Sequence, residues 1–219
     1  VVCMMCPLCQ TEDAIKLFYT DKDREYFQCQ TCKLVFVPSA HYLSTEEEKA
    51  RYDTHQNSYE DPKYRAFLSR LFIPMQNRLA PGSRGLDFGS GPGPTLSVMF
   101  EEVGHSMALY DHFYAPNPAV LDAPYDFITA TEVVEHLHYP RIELDRLWTI
   151  LTPGGILGIM TQLVPEHDTF AQWYYKRDPT HVCFFSRKTF EWLATQWHAV
   201  LICEENDVML LEKQSDQIR

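Results

Sequence analysis

Four thiols pose the first chemical question. CPLC (6–9) and CQTC (29–32) form two C-x2-C pairs with nineteen residues between them, a spacing that suits a four-thiolate zinc site. Each pair turns two sulfurs towards one tetrahedral ion. With Cys6, Cys9, Cys29 and Cys32 all bound, no position stays open for water or substrate, so the expected role is structural. A segment this short lacks a core of its own, and the metal supplies folding energy. Cys3 makes a further C-x2-C with Cys6 and is the alternative to Cys9, although Pro7 stiffens the Cys6–Cys9 turn. Two disulfides are the other use of four thiols, one that suits an oxidising compartment.

The second group lies in GLDFGSGPGP (85–94), where Gly89, Gly91 and Gly93 alternate with one serine and two prolines two residues after Asp87. Glycine lets a backbone take positive φ and leaves no side chain in a ligand's way. Asp111 stands eighteen residues beyond Gly93, at the tip of the next apolar run, SMALY. A strand, a glycine turn, a helix, a second strand and an acid make a recurring nucleoside site, the acid accepting hydrogen bonds from ribose hydroxyls. The third group is His136 in EVVEHLHYP and His181 in DPTHVCFFS. Imidazoles titrate near neutrality and can take a proton from a reacting group. Glu135, His136, His138 and His167 also raise the question of a second metal.

These residues need elements to hold them. IKLFYT and REYFQC read as the strands of a ribbon hairpin, continued by KLVFVP. STEEEKARY and PKYRAFLSRLFIPMQNRL (62–79) read as a helical connector, the first opening on a Ser/Thr cap with acids in its first turn. RGLDF is a buried strand, Pro94 opens a helix through TLSVMFEEV, and Gly104 ends it before SMALY. YDFITATEVV, RIELDRLWTIL, a PGG turn and ILGIMT continue the alternation. SRKTFEWLATQ is a capped helix, and HAVLICEE with DVMLLEK form a closing hairpin. The pattern predicts a ribbon over 1–40, a connector over 41–80 and an α/β domain over 81–219. Its sheet is Rossmann-like and mostly parallel, with a C-terminal antiparallel hairpin. The segment 163–186, aromatic and histidine-bearing, reads as a lid in which Trp173, Tyr174 and Tyr175 line a pocket.

Composition excludes some partners. A formal net charge of -11 over 219 residues argues against a broad phosphate-binding surface, and no run approaches the roughly 20 apolar residues of a membrane span. Without a basic stretch leading into an apolar one at the start, a cytoplasmic setting is expected.

LDFGSGPG resembles the first motif of class I S-adenosylmethionine-dependent methyltransferases, an acid followed by G-x-G-x-G, and ITATEVVEHLHYP and LTPGGILGIMT look like that family's next landmarks in the same order. The resemblance covers roughly residues 80–213. It implies S-adenosylmethionine as cofactor: Gly89, Gly91 and Gly93 would pass along its aminoacyl and ribose portions. Asp87 would order the loop or reach the amino group, Asp111 would bind the ribose, and Thr131 and Glu132 would sit beside the methionine end. His181 falls in a D-x-x-H-x-x-x-F-S stretch seen in many small-molecule members, where this histidine lies near the acceptor, so His181 and His136 are the expected proton acceptors. The EH pair is common in the family without a metal, and methyl transfer needs none.

One departure stands out. Only thirteen residues separate Asp111 from Tyr125, too few for the usual helix, strand and helix. A shortened third-strand region is expected, with PAVLD as at most a short strand and Phe113 and Tyr114 as the adenine wall. The ribbon is similar to cysteine-rich modules of deoxysugar-nucleotide methyltransferases and of certain ribosomal-RNA guanine methyltransferases. The acidic charge and the lid favour a small or carrier-bound methyl acceptor over RNA. A non-catalytic protein that keeps the cofactor fold for binding or scaffolding is the reading from another class.

Overall fold

The computed structural model describes residues 4–54 and 58–215. Its first elements are β1 (Ile15–Thr20), β2 (Glu25–Cys29) and the two-residue β3 (Val35–Phe36), paired antiparallel in that order. Two helices follow, α1 (Thr45–Tyr52) and α2 (Pro62–Gln76). The start of α1 is fixed by a reciprocal box: Ser44 Oγ accepts from the Glu47 N–H while the Glu47 carboxylate accepts from the Ser44 N–H. Then come β4 (Arg84–Phe88), α3 (Thr95–Glu102), β5 (Ser106–Tyr110), β6 (Tyr125–Thr131), α4 (Pro140–Ile150) and β7 (Leu151–Met160). The one-turn α5 (His167–Phe170), β8 (Cys183–Phe184), α6 (Arg187–Trp197), β9 (Ala199–Glu204) and β10 (Val208–Lys213) complete the chain.

The larger sheet runs β5-β4-β6-β7-β10-β9, parallel from β5 to β7 and antiparallel from β7 onwards. This is the Rossmann-like α/β arrangement expected, C-terminal hairpin included. β5 is its edge, because no strand forms between Asp111 and β6. PAVLD is a 3-10 turn (Pro118–Asp122) and not a strand, Asn117 capping it through the Ala119 N–H. Two smaller expectations also change. Pro94 caps α3 from outside, leaving Thr95 as the first helical residue. The PGG turn lies within β7, where pairing with β6 shifts register between Tyr125 and Phe127. Helix α2 covers one face of the sheet closely: a Cβ added at Gly158 would meet Met75 Sδ at 2.3 Å.

The smaller sheet has the order β1-β2-β3-β8. Its last strand comes from far downstream, Val35 facing Phe184 and Phe36 facing Cys183. The apolar cluster is continuous from Leu8 and Leu34 of the N-terminal segment through Phe184 to Ile128 and Met209 of the main sheet. The hairpin also grips the loop that leads into β8. Arg24 donates to the carbonyls of His181 (2.9 Å), Asp178 (3.2 Å), Pro179 (3.4 Å) and Lys176. Lys176 is itself buried, its ammonium 2.6 Å from Asp21 and set over the rings of Tyr19 and Tyr26. Burial pushes the Asp21 carboxyl up, but the Lys176 hydrogen bond and charge together with the N–H groups of Arg24 and Asp23 outweigh it, and the net pKa falls to about 2. No helix among the described residues is long and apolar enough to cross a membrane.

The clamp yields a prediction. Arg24→Ala should cost about 2 kcal/mol, the loss of charge-assisted hydrogen bonds, and speed amide exchange across residues 176–182 at least tenfold while exchange in β1 and β2 stays as in the native chain. Hydrogen-exchange mass spectrometry reads this directly. Unchanged exchange would mean that β8 pairing alone holds the loop.

Candidate functional site

The strand ends decide where ligands meet an open α/β sheet. At the carboxyl ends of β4, β5 and β6 the chain opens into a cavity of about 900 Å³, roofed by α1 and the start of α2 and closed on the far side by Tyr174, Tyr175 and His181. Gly89 and Gly91 enter it in left-handed conformations, φ +78° and +63°. A side chain at Gly89 would strike Val133 at 2.3 Å, whereas Gly91 opens onto free space. Gly89 is therefore required by packing as well as by φ.

Asp111 ties this loop together. Its Oδ2 accepts from the Gly91 N–H at 2.9 Å, and its Oδ1 accepts from the N–H groups of Phe113 (2.8 Å) and Tyr114 (3.0 Å). Each carboxylate oxygen retains accepting capacity for a ligand hydroxyl. Phe113 and Tyr114 both line the cavity, and the Tyr114 hydroxyl is fixed by Asp53 at 2.6 Å. Gly93 is not in the cavity wall, and neither is Asp87. The Asp87 carboxylate is buried beneath the loop, where it accepts from Ser97 (3.0 Å) and Thr129 (2.8 Å). Burial raises its pKa to about 6 against those two donors. That environment suits ordering the loop and leaves no path to a ligand's amino group.

Thr131 and Glu132 lie at the floor. Glu132 holds φ +53°, a region that costs a non-glycine residue about 1 kcal/mol, and the turn it makes aims its side chain into the cavity. Ser90 Oγ, Thr131 Oγ1 and Glu132 Oε1 are all buried without a hydrogen-bond partner. Glu132 Oε2 accepts from the Tyr175 hydroxyl at 3.1 Å, and the same hydroxyl contacts Glu135. Glu135 has no exposed surface and accepts also from Thr161 at 3.0 Å. Burial, reinforced by each other's charge in the case of Glu132, pushes Glu132 up to about 8 and Glu135 up to about 7.

His136 and His181 come together, ring centres 4.7 Å apart. His181 is held at 2.7 Å by the Tyr175 carbonyl, and burial, then the proximity of His136, lowers its pKa to about 3. Of the other aromatics expected here, Trp173 packs instead among Phe170, Tyr175 and Phe184. His138 stacks on Tyr42 and faces Glu48 at 2.8 Å, and His167 meets the Phe18 carbonyl at the surface. Arg51, Tyr52, Tyr64 and Phe67, from the connector, also line the cavity, although the helical pattern of that segment reads only as a connector. Cys3 lies outside the described residues.

The cysteine cluster stands apart from this cavity. Sγ atoms of Cys6, Cys9, Cys29 and Cys32 lie within 4.8 Å of one another, with Cys6 to Cys32 at 3.5 Å and Cys9 to Cys29 at 3.4 Å. Thiolates around zinc at 2.3 Å sit about 3.8 Å apart, so the set fits that ion. None of the four is in a disulfide.

A methyltransferase domain model matches residues 55–198, and the chain belongs to that family. Its fold is similar to that of Burkholderia thailandensis 1,6-didemethyltoxoflavin-N1-methyltransferase, solved with 1,6-didemethyltoxoflavin and S-adenosylhomocysteine; identity is 16%, 91% of this chain and 100% of that chain are covered, and the TM-score is 0.55. A presumed methyltransferase from Bacillus halodurans C-125 is similar at 13% identity, 68% and 100% coverage and a TM-score of 0.52. Identities at this level establish a shared fold and leave the substrate to the site. No curated protein matches the chain.

The raised Glu132 gives a pH prediction. A carboxyl whose folded pKa exceeds its unfolded value, about 4.5, binds more protons in the native state between pH 4.5 and about 8, so stability falls as pH rises through that window. Glu132→Gln removes the buried charge. It should raise the melting temperature at pH 8 and leave it nearly unchanged at pH 5. An equal shift at both values would contradict the assignment.

Proposed function

We propose that this chain transfers a methyl group from S-adenosylmethionine to a small or carrier-bound metabolite. The observation that carries the reading is the loop assembly at the strand ends: positive-φ glycines bare to the cavity, with Asp111 bonded across to the Gly91 N–H. The orphaned Ser90, Thr131 and Glu132 oxygens are the groups a polar ligand would satisfy. Asp111 would accept from the ribose hydroxyls, Phe113 and Tyr114 would flank the adenine in place of the missing third-strand segment, and Glu132 would face the ammonium and sulfonium charges. When bound, S-adenosylmethionine supplies an electrophilic methyl on a positively charged leaving group. The protein's task is then alignment of the acceptor with that carbon. His181 and His136, across the cavity from the glycine loop, act on the acceptor's proton, and Tyr174 and Tyr175 wall the acceptor end.

The four-cysteine cluster we assign to structural zinc, in an N-terminal ribbon of residues 1–40 joined by a 41–80 connector to the catalytic domain of 81–219. Through the Arg24 contacts, this ribbon supports the loop that carries Tyr175 and His181. A net charge of -11 supports a metabolite over a nucleic acid.

Calorimetric titration with S-adenosylmethionine and S-adenosylhomocysteine tests the reading. Micromolar binding, about -8 kcal/mol, is expected for the native protein. Asp111→Ala should weaken it at least tenfold because the Gly91 loop loses its tie, while His181→Ala should leave it within about threefold and abolish turnover. No binding to ligand-free native protein would remove the catalytic reading and favour a scaffold.

A further inference from the structure

Glu135, His136 and His181 converge on one point: a carboxylate oxygen and one ring nitrogen from each histidine all lie within 4.8 Å of one another. Each imidazole has its Nδ1 against a main-chain carbonyl, Thr180 O at 3.2 Å for His136 and Tyr175 O at 2.7 Å for His181. A carbonyl only accepts, so both Nδ1 atoms carry the proton and both Nε2 atoms carry a lone pair. Glu135 Oε1 lies 3.8 Å from His136 Nε2, too far for a hydrogen bond and facing that lone pair. A carboxylate oxygen and two imidazole nitrogens drawn this close are the donor set of a cation site. No Lys or Arg among the described residues forms an ion pair with Glu132 or Glu135.

Proton abstraction needs one base, not two lone pairs and a carboxylate aimed together. In a dyad built for it, the carboxylate would take the imidazole N–H, which here belongs to the carbonyls. Anchoring the far ring N–H on a backbone carbonyl is instead how proteins orient histidines that ligate a metal. Glu132 adds a second, independent sign, its buried Oε1 unpartnered in the same cavity.

We propose that His136 Nε2, His181 Nε2 and Glu135 hold a divalent cation that binds the methyl acceptor through oxygen. Two imidazoles and a carboxylate suit an ion of the manganese-to-zinc series, and three ligands on one face leave adjacent positions open. Bonds of about 2.1 Å need donors about 3 to 3.5 Å apart, a contraction that side-chain rotation supplies. The adjacent open positions select an acceptor with two neighbouring oxygens, such as a vicinal diol or a hydroxycarbonyl compound. This rests on the methyltransferase reading above and specifies its acceptor atom. With the ion bound, the two histidines serve as ligands in place of the direct proton acceptance proposed above: a hydroxyl on the ion loses its proton to solvent water, its lone pair forms the bond to the methyl carbon, and the carbon–sulfur pair leaves on sulfur. His138 and His167, the other histidines that raise a metal site in the sequence, take no part.

The test uses the full chain with its ribbon zinc measured by mass spectrometry, and Mn²⁺ as probe, followed by loss of the free-ion paramagnetic resonance signal. One manganese per chain at micromolar affinity is expected, weakened at least tenfold in His136→Ala and in His181→Ala with ribbon zinc unchanged. If either alanine variant loses its melting transition, His181→Gln and Glu135→Gln replace it and should show the same weakening. Native protein that takes up no manganese at millimolar concentration, or folded variants that bind it as the native chain does, would overturn the site. S-adenosylhomocysteine titration of the same samples separates the two readings. Its binding without manganese uptake sinks the cation alone; its failure sinks the methyltransferase reading, and the manganese result still decides the cation site.

Discussion

Two carboxylates share one phenol in the interior of this protein, and most of the architecture around the cavity serves that arrangement. Glu135 is wholly buried, Glu132 is partly buried in a left-handed turn, and the Tyr175 hydroxyl touches both. Burying a carboxylate without a cationic partner is costly, and nature commonly meets the cost with pKa shifts, hydrogen bonds or a bound ion. Thr161 and Tyr175 satisfy part of it. The remainder is met by the raised pKa of each acid, since burial favours the protonated form.

Tyr175 has to be held in place for this to work, and the chain that holds it comes from the other end of the sequence. The loop from Lys176 to His181 has little regular structure of its own: a 3-10 turn, then a two-residue strand. Arg24 organises four of its carbonyls, Asp21 neutralises its buried lysine, and β3 pairs with its strand. The geometry of Cys6, Cys9, Cys29 and Cys32 fixes the hairpin bearing Arg24. The cysteine cluster and the cavity are thus linked through the Arg24 and Asp21 contacts and the β3–β8 pairing, although the four thiols lie outside the cavity wall.

The legible parts of this fold were those whose signal is local. Asp87, Gly89, Gly91 and Asp111 announce a strand, turn and second strand because each residue type answers a backbone demand within a few positions. The missing third-strand region was countable, since thirteen residues cannot hold three elements. Illegible features came from long-range pairing. A strand as short as β8 has no periodicity, so nothing in CF at 183–184 points to VF at 35–36. Nothing local marks Lys176 and Glu135 as buried charges, because their partners, Asp21 and Tyr175, are chosen by tertiary contact. PAVLD, expected as at most a short strand, is a 3-10 segment opened by Pro118 and the Asn117 cap.

The histidines show how far residue type can mislead without geometry. EVVEHLHYP offers His136, the expected proton acceptor, and His138 two positions on. A 3-10 turn over Val134–His136 sends His136 into the cavity, while His138 is drawn away to Tyr42 and Glu48 on the connector. His181, forty-five positions further on, is brought back beside His136 by the clamped loop. What decides their chemistry is the Nδ1 contact each makes. A carbonyl at that atom leaves the lone pair on Nε2, and one ring nitrogen of each histidine lies within 4.8 Å of a Glu135 oxygen. A histidine serving only as packing has no need of that agreement.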